Sequence, residues 1–363
     1  MPSKSIAVWT TGEQAVDQTH EVHVNYWRMG EAGSSSLPHC RRWLSSLVKR
    51  SSVPKAGGHD LLELGVWVAN PSKVNTVSAY LPLKISRADI IDCSGHFKNS
   101  DISQAIFNEP VTITHGPQKS PVITAKINDA FYTIIFSFEL SQGGVISDAE
   151  LDILEKGEGV QLTITNKAIR SAQEASGNFE KLYFRIRVNL HNGSPFVSTI
   201  KPYDGALQSG YEEIDYIDFR VNETRSLPRE VQEDLRKSSS KLSKISFLTA
   251  APISLGLSSN DAPLHKARVL ESTVWGDYVD QLPPHMMVYH WRKDWRDGLS
   301  ISDFSGFAKF AMRRSGRGRV IKYLMIFMII SIFSSWLAAR FDANFGPPNE
   351  WFQRLIFEVS PAS

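Results

Sequence analysis

The side chains best equipped for chemistry sit in a few short stretches. THEVHVNYWRMGE brings His20 and His23 close to Glu21, with Glu31 further on. Imidazole and carboxylate are zinc ligands. However, HEVH is not the HExxH spacing, and on a strand His20 and His23 point to opposite faces. No metal site is expected. DCSGHF sets Cys93 three residues before His96, with Asp92 adjacent. A cysteine nucleophile needs a histidine base within reach. The intervening Gly95 instead suits a strand end followed by a turn, so no catalytic residue is expected here.

YEEIDYIDFR gathers Glu212, Glu213, Asp215 and Asp218. Paired carboxylates bind cations or move protons, but Glu213 and Asp215 better fit the solvated face of an edge strand, which is the expectation here. The basic counterpart is Arg185 and Arg187 in KLYFRIRVNL, which can receive a phosphate-bearing ligand or a partner's acidic patch, but a solvated strand face is the favoured expectation. In VYHWRKDWRDG, Trp291, Arg292, Trp295 and Arg296 can stack as cation–π pairs and form a contact for a ligand or partner. No phosphate loop, dinucleotide glycine fingerprint, GxSxG or kinase signature is found, and no cofactor is expected.

These residues must be positioned mainly by strands. LELGVWVAN, NTVSAYLPLKI, PVTITHG, AFYTIIFSFEL, VQLTITN and KLYFRIRVNL are rich in β-branched and aromatic residues, with turn formers between them. YIDFRVN and RVLESTVW are further candidates. In KLYFRIRVNL, Leu182, Phe184, Ile186, Val188 and Leu190 alternate with Lys181, Tyr183, Arg185, Arg187 and Asn189. One polar face predicts a sheet packed on one side only and antiparallel pairing. The expected fold is mainly β: an antiparallel sandwich or barrel-like cytoplasmic region with a few helices. SLPHCRRWLSSLVKR, with Pro38 in its first turn and Cys40 on an apolar stripe, predicts one helix; SLPREVQEDLRKSSSKLSK, capped by Ser226, predicts another.

RRSGRGRVIKYLMIFMIISIFSSWLAAR has a different character. It carries no charge over the seventeen residues from Tyr323 to Ala339, a helical rise of about 25 Å, which is the short end of spanning length. Lys322 and Arg340 can snorkel, and Tyr323 and Trp336 suit the headgroup zone. Arg313, Arg314, Arg317, Arg319 and Lys322 precede the run. The positive-inside rule then predicts a cytoplasmic bulk and a tail-anchored protein. Ser331 and Ser335 form a small-xxx-small pair that allows helix association. ISDFSGFAKFAMRR before the run predicts a basic amphipathic helix with Phe304, Phe307, Ala308 and Ala311 on one face.

The expected plan is therefore an N-terminal tail (1–20), a β-rich domain or two subdomains (21–247), a linker with membrane-proximal strands (248–300), a juxtamembrane segment (301–319), a transmembrane helix (320–340) and a short extracytoplasmic tail (341–363). LTAAPISLGLSSNDAP falls in the linker. The first twenty residues have no apolar run suited to a signal peptide. With only two cysteines, no disulfide scaffold is expected, and a net charge of +2 gives no strong nucleic-acid signal.

These features predict a single-pass membrane protein that senses a ligand or docks a partner and acts through its span. Its partners are membrane lipid and a protein partner or a second copy. The architecture parallels bacterial inner-membrane stress and antiviral-defence effectors that perturb the bilayer. A tethered adaptor or scaffold and a membrane-anchored hydrolase are the other classes.

Overall fold

A computed structural model describes residues 4–12, 18–29, 59–115, 120–177, 179–191, 193–200, 212–238, 240–295, 300–313 and 317–345. The chain forms two compact units: Met1–Lys201 with Glu213–Met312, and Pro202–Glu212 with Arg313–Ser363.

Eighteen strands follow one another in the described residues of the chain. They are β1 (Ser5–Gly12), β2 (Gln18–Trp27), β3 (Asp60–Ala69), β4 (Val74–Leu81), β5 (Ile90–Asp92), β6 (Thr112–His115), β7 (Val122–Ile127), β8 (Ala130–Phe136) and β9 (Leu151–Lys156). After them come β10 (Gly159–Ile164), β11 (Lys181–Leu190), β12 (Val197–Ile200), β13 (Glu212–Val221), β14 (Ser240–Pro252), β15 (Leu255–Asn260), β16 (Lys266–Val269), β17 (Met286–Asp294) and β18 (Phe304–Arg313). The described helices are α1 (Ser100–Phe107), α2 (Asn166–Ser176), α3 (Arg229–Lys237), α4 (Ser272–Trp275) and α5 (Arg317–Phe345).

The strands build a sandwich of two sheets. The eight-stranded sheet runs β15-β18-β13-β1-β4-β10-β9, with β12 also paired to β13, and the ten-stranded sheet runs β16-β17-β14-β2-β3-β11-β8-β7-β6, with β5 also paired to β11. Read side by side, these orders match strand to neighbouring strand: β18 with β17, β13 with β14, β1 with β2, β4 with β3, β10 with β11, β9 with β8. The chain changes sheet at ten of the seventeen connections between these strands, which keeps many sequential elements adjacent across the core. Phe219 stacks on Phe247 at 4.3 Å, and Tyr289 meets Phe310 at 5.3 Å, each pair bridging the sheets. Inward residues such as Val8, Val24, Leu64 and Phe184 complete that core.

Several expectations need correcting. The sheets are mixed rather than purely antiparallel: β1 runs parallel to β13, β2 to β14 and β8 to β11. Residues 5–12, read as part of a tail, form the buried strand β1, because SIAVWTTG has strong β propensity. Residues 248–263, read as a loop or linker, continue β14 and form β15. The expected amphipathic helix before the span is β18 instead: Phe304, Gly306, Ala308 and Phe310 are buried in alternation. The two periods share Phe304 and Ala308, and pairing with β15 selects period two. RVLESTVW divides into β16 and α4, and the second predicted helix shortens to α3. The helix predicted over SLPHCRRWLSSLVKR, with Cys40, lies outside the described residues.

In the second unit, α5 is long and apolar enough to cross a membrane. Its 19-residue window Tyr323–Phe341 has mean hydropathy 1.9, and none of that window is buried. Apolar side chains point outward all round it, including Leu324, Phe327, Ile330 and Phe333.

Candidate functional site

Both outer faces of the sandwich carry a partial third layer. On the ten-stranded sheet, α1, α4 and the turn at Ser94–Lys98 cover the face through Cys93, Ile102, Trp275 and Tyr278 in one cluster and Phe97, Phe107 and Tyr183 in another. On the eight-stranded sheet, α3 lays Val231 over Trp9 and Tyr80.

Strand register then composes the site on the covered face of the larger sheet. Side chains from β17, β14, β2, β3 and β11 fall into two rows. One row reads Arg292, Ser246, His23, Gly65, Arg185. The next reads His290, Leu248, Asn25, Glu63, Arg187, extended by Lys266 of β16. Gly65 is required where it stands, because a Cβ there would lie 2.2 Å from the Tyr183 hydroxyl.

Arg185 is 1% exposed and Arg187 is 6% exposed. This corrects the expected solvated strand face, since the polar side of β11 lies under the third layer. Arg185 donates from Nη2 to Glu63 Oε2 at 2.5 Å, from Nε to Tyr278 Oη at 2.8 Å and from Nη1 to Tyr183 Oη at 2.9 Å. Arg187 donates to Glu63 Oε1 and to the Tyr278 carbonyl, both at 2.8 Å. Tyr278 Oη donates to Glu63 Oε2 at 3.0 Å. The Asn25 amide satisfies its neighbours when its oxygen accepts from Arg185 Nη2 at 2.5 Å. Burial pushes the Glu63 carboxyl up, but the two guanidiniums outweigh it and hold it below the usual range. One carboxylate therefore serves two buried guanidiniums, so the cluster keeps an excess positive charge.

Arg185 also lines a cavity of about 260 Å³ between this face, residues 105–109 and Trp275. Five of its lining residues are Lys or Arg: Arg185, Lys244, Lys266, Arg268 and Arg292; Glu109 is the one Asp or Glu among them. Three of these cations have acid partners: Arg185 shares Glu63 with Arg187, Lys244 pairs with Glu21 at 3.3 Å and Arg292 with Asp294 at 2.7 Å. His23 Nε2, His290 Nε2 and Trp275 Nε1 are buried without a hydrogen-bond partner. Glu21 lies 4.0 Å from His23 Nε2, beyond hydrogen-bond range. Burial pushes the His23 imidazole well down, and Lys244, Arg185, His290 and Arg292 push it further. His290 falls to about 4, from burial first and then His265, Arg292, Lys244 and Lys266. The charged side chains that push these two rings down are cations, which favours an anion in the cavity, although the Glu21 carboxylate also lies near His23.

A wider depression of about 760 Å³ is lined by Arg28 and Asp60 among others. Its guanidinium is balanced, because Arg28 pairs with Asp60 at 3.1 Å and Asp215 at 2.9 Å. That pairing also corrects the acidic stretch: Asp215 is buried on β13, which lies inside the sheet between β18 and β1. Asp218 pairs with Arg220 at 2.9 Å.

The remaining sequence candidates separate. Trp291 faces the core and stacks on Phe247 at 5.5 Å, whereas Arg292 points to the opposite face, so the expected cation–π pair does not form. Trp295 is half-buried, and its backbone N–H bonds to the Ser243 carbonyl. His20 turns into the sandwich while His23 reaches the cavity, the opposite faces that their spacing predicts. Cys93 is buried and its thiol is pushed up to about 12, mainly by burial, which leaves it neutral. Among the described residues, no three His, Cys, Asp or Glu side chains group to hold a metal. Arg313 ends β18, Arg314 lies outside the described residues, and Arg317, Arg319 and Lys322 occupy the first turns of α5. Tyr323, Ser331, Ser335 and Trp336 follow on the same helix, with Arg340 5.6 Å from the Trp336 ring.

No family model matches the sequence, and a search of curated proteins gives no match.

Sequence reasoning named Arg185, Arg187 and Arg292 as candidate contacts but not their setting. Glu63, Gly65, Tyr278, Lys244, Lys266 and His290 are scattered along the chain and meet only through register. The one local signal was a lone glutamate inside the apolar run LELGVWVAN.

Proposed function

We propose that this chain is a single-pass membrane protein whose β domain binds a small anionic ligand in the cavity lined by Arg185. The observation that carries the reading is the shared carboxylate: Glu63 alone neutralises two buried guanidiniums. An uncompensated buried charge is costly, and a bound anion relieves it. Five cations against Glu109 on the lining point the same way.

The tether is α5. A helix that exposes apolar side chains on every side is poorly soluble in water and suits hydrocarbon. The basic residues that precede it favour a cytoplasmic β domain by the positive-inside rule. Ser331 and Ser335 favour close approach of a second α5, so ligand-driven clustering of β domains would act on the bilayer through associated helices.

The test uses the full chain in detergent micelles, with inorganic phosphate and sulfate titrated against chloride while thermal unfolding is followed. Phosphate should raise the melting temperature of the wild type. It should do so far less in an Arg292→Glu, Lys266→Glu double variant, whose changes lie on partly exposed rim residues. Equal behaviour of phosphate and chloride in the wild type would show that the cavity is not an anion site.

A further inference from the structure

We infer that the anion is carried by a nucleotide: the cavity is laid out for a nucleoside monophosphate, with the phosphate at one end and the base at the other. This rests on the anion-binding reading above and names its ligand class.

The argument comes from the order of side chains on the two floor strands. β14 and β17 are antiparallel neighbours, with Ser246 opposite Arg292 and Leu248 opposite His290. Along β14 the outward residues are Lys244, Ser246, Leu248; in the same direction along β17 they are Arg292, His290, Val288. β14 grades from cation through hydroxyl to aliphatic; β17 runs Asp294, Arg292, His290, Val288, with Asp294 paired to Arg292 and Arg268 of β16 opposite Val288. Lys244 to Leu248 spans about 14 Å of strand, close to the length of an extended nucleoside monophosphate.

Each zone suits one part of such a ligand. Lys244 and Arg292, each also paired to one carboxylate, offer charge-assisted donors for phosphate oxygens, and Lys266 adds another from its place opposite His290. Ser246 and the unpartnered Nε2 atoms of His23 and His290 lie in the middle, where ribose hydroxyls and the ester oxygen would fall. Leu248 and Val288 form an apolar floor at the far end, and Ile106 of α1 also lines the cavity. Apolar walls of this kind take the face of a base. Trp275 lines the same cavity with a buried Nε1–H that has no hydrogen-bond partner, and ring nitrogens and carbonyls of a base are acceptors. A bare inorganic anion would leave the apolar end and this donor unused.

The decisive experiment is calorimetric titration of the full chain in detergent with three probes. These are the four ribonucleoside 5′-monophosphates, the matching nucleosides and inorganic phosphate. At least one monophosphate should bind about 10- to 100-fold more tightly than phosphate, the worth of one accommodated base, and more tightly than its nucleoside. Trp275→Phe keeps most of the ring volume but removes the donor. It should weaken that monophosphate about 3- to 10-fold and leave phosphate unchanged, with unfolding curves confirming that the variant is folded. Phosphate and monophosphates binding with equal affinity would overturn the nucleotide inference while the anion site stands. A nucleoside that binds as tightly as its monophosphate would overturn it too. No binding of any probe would overturn both readings together.

Discussion

The covered face of the ten-stranded sheet and the surface of α5 depart from ordinary burial in opposite directions. The sheet face hides two guanidiniums, a carboxylate and three imidazole or indole N–H sites that water would have solvated. The helix exposes Leu324, Phe327, Ile330 and Phe333, which a soluble core would have taken in. On the proposed reading each anomaly would be resolved by a different partner phase: an anion for the first, hydrocarbon for the second. The difference teaches where to look. Exposed apolar surface can be read from composition, whereas buried excess charge appears only once strands are paired.

The comparison can be tested from either side. Glu63→Ala should have the largest effect. It leaves Arg185 and Arg187 buried with no carboxylate and should cost about 3–5 kcal/mol in chemical denaturation. A loss below about 1 kcal/mol would mean that the guanidiniums are not held as described. On the other side, Ile329→Arg places a charge in the middle of the apolar window and should make insertion less favourable by about 2.5–3.5 kcal/mol, read in a translocation assay. Unchanged insertion would mean that α5 does not cross the bilayer. Gly65→Ala should cost about 1–3 kcal/mol, because the new Cβ displaces the Tyr183 ring from Arg185.

The smallest effect is on pH. His23 and His290 are held neutral by burial and surrounding cations. A bound anion favours their protonated forms, so binding takes up protons. Anion affinity should therefore rise as pH falls from about 7 toward about 5, below the ordinary histidine value of about 6.5. Stability of the unliganded protein should move the other way. The unfolded histidines protonate near 6.5 while His290 in the fold resists until about 4, so stability is lost across that interval. Affinity that is flat across this range, measured by calorimetry in buffers of different ionisation enthalpy, would separate the histidines from the site.

Much of the fold was legible in the sequence. The clean alternation of Leu182 to Leu190 marked β11, and the charge-free run after Lys322 marked α5. Local patterns could not tell which strands were neighbours. Arg185 and Arg187 looked solvated because a polar strand face is normally wet; here the segments around Ile102 and Tyr278 return to cover it. Phe304 to Arg313 looked helical because alternate and i+4 spacings coincide over short stretches. Trp291 and Arg292 looked like a stacking pair because adjacency in sequence is separation across a sheet. The candidate site was the least legible part, since its residues come from eight separate elements, the strands β2, β3, β11, β14, β16 and β17 joined by register and the helices α1 and α4 packed over them.

The central claim is that the cavity lined by Arg185, Lys244 and Arg292 holds an anion. Tungstate is a phosphate-sized anion with strong anomalous scattering. Crystals of the protein soaked in it should show an anomalous peak within hydrogen-bond reach of Lys244 and Arg292. A data set with tungstate bound only elsewhere on the surface, and none in this cavity, would contradict the account.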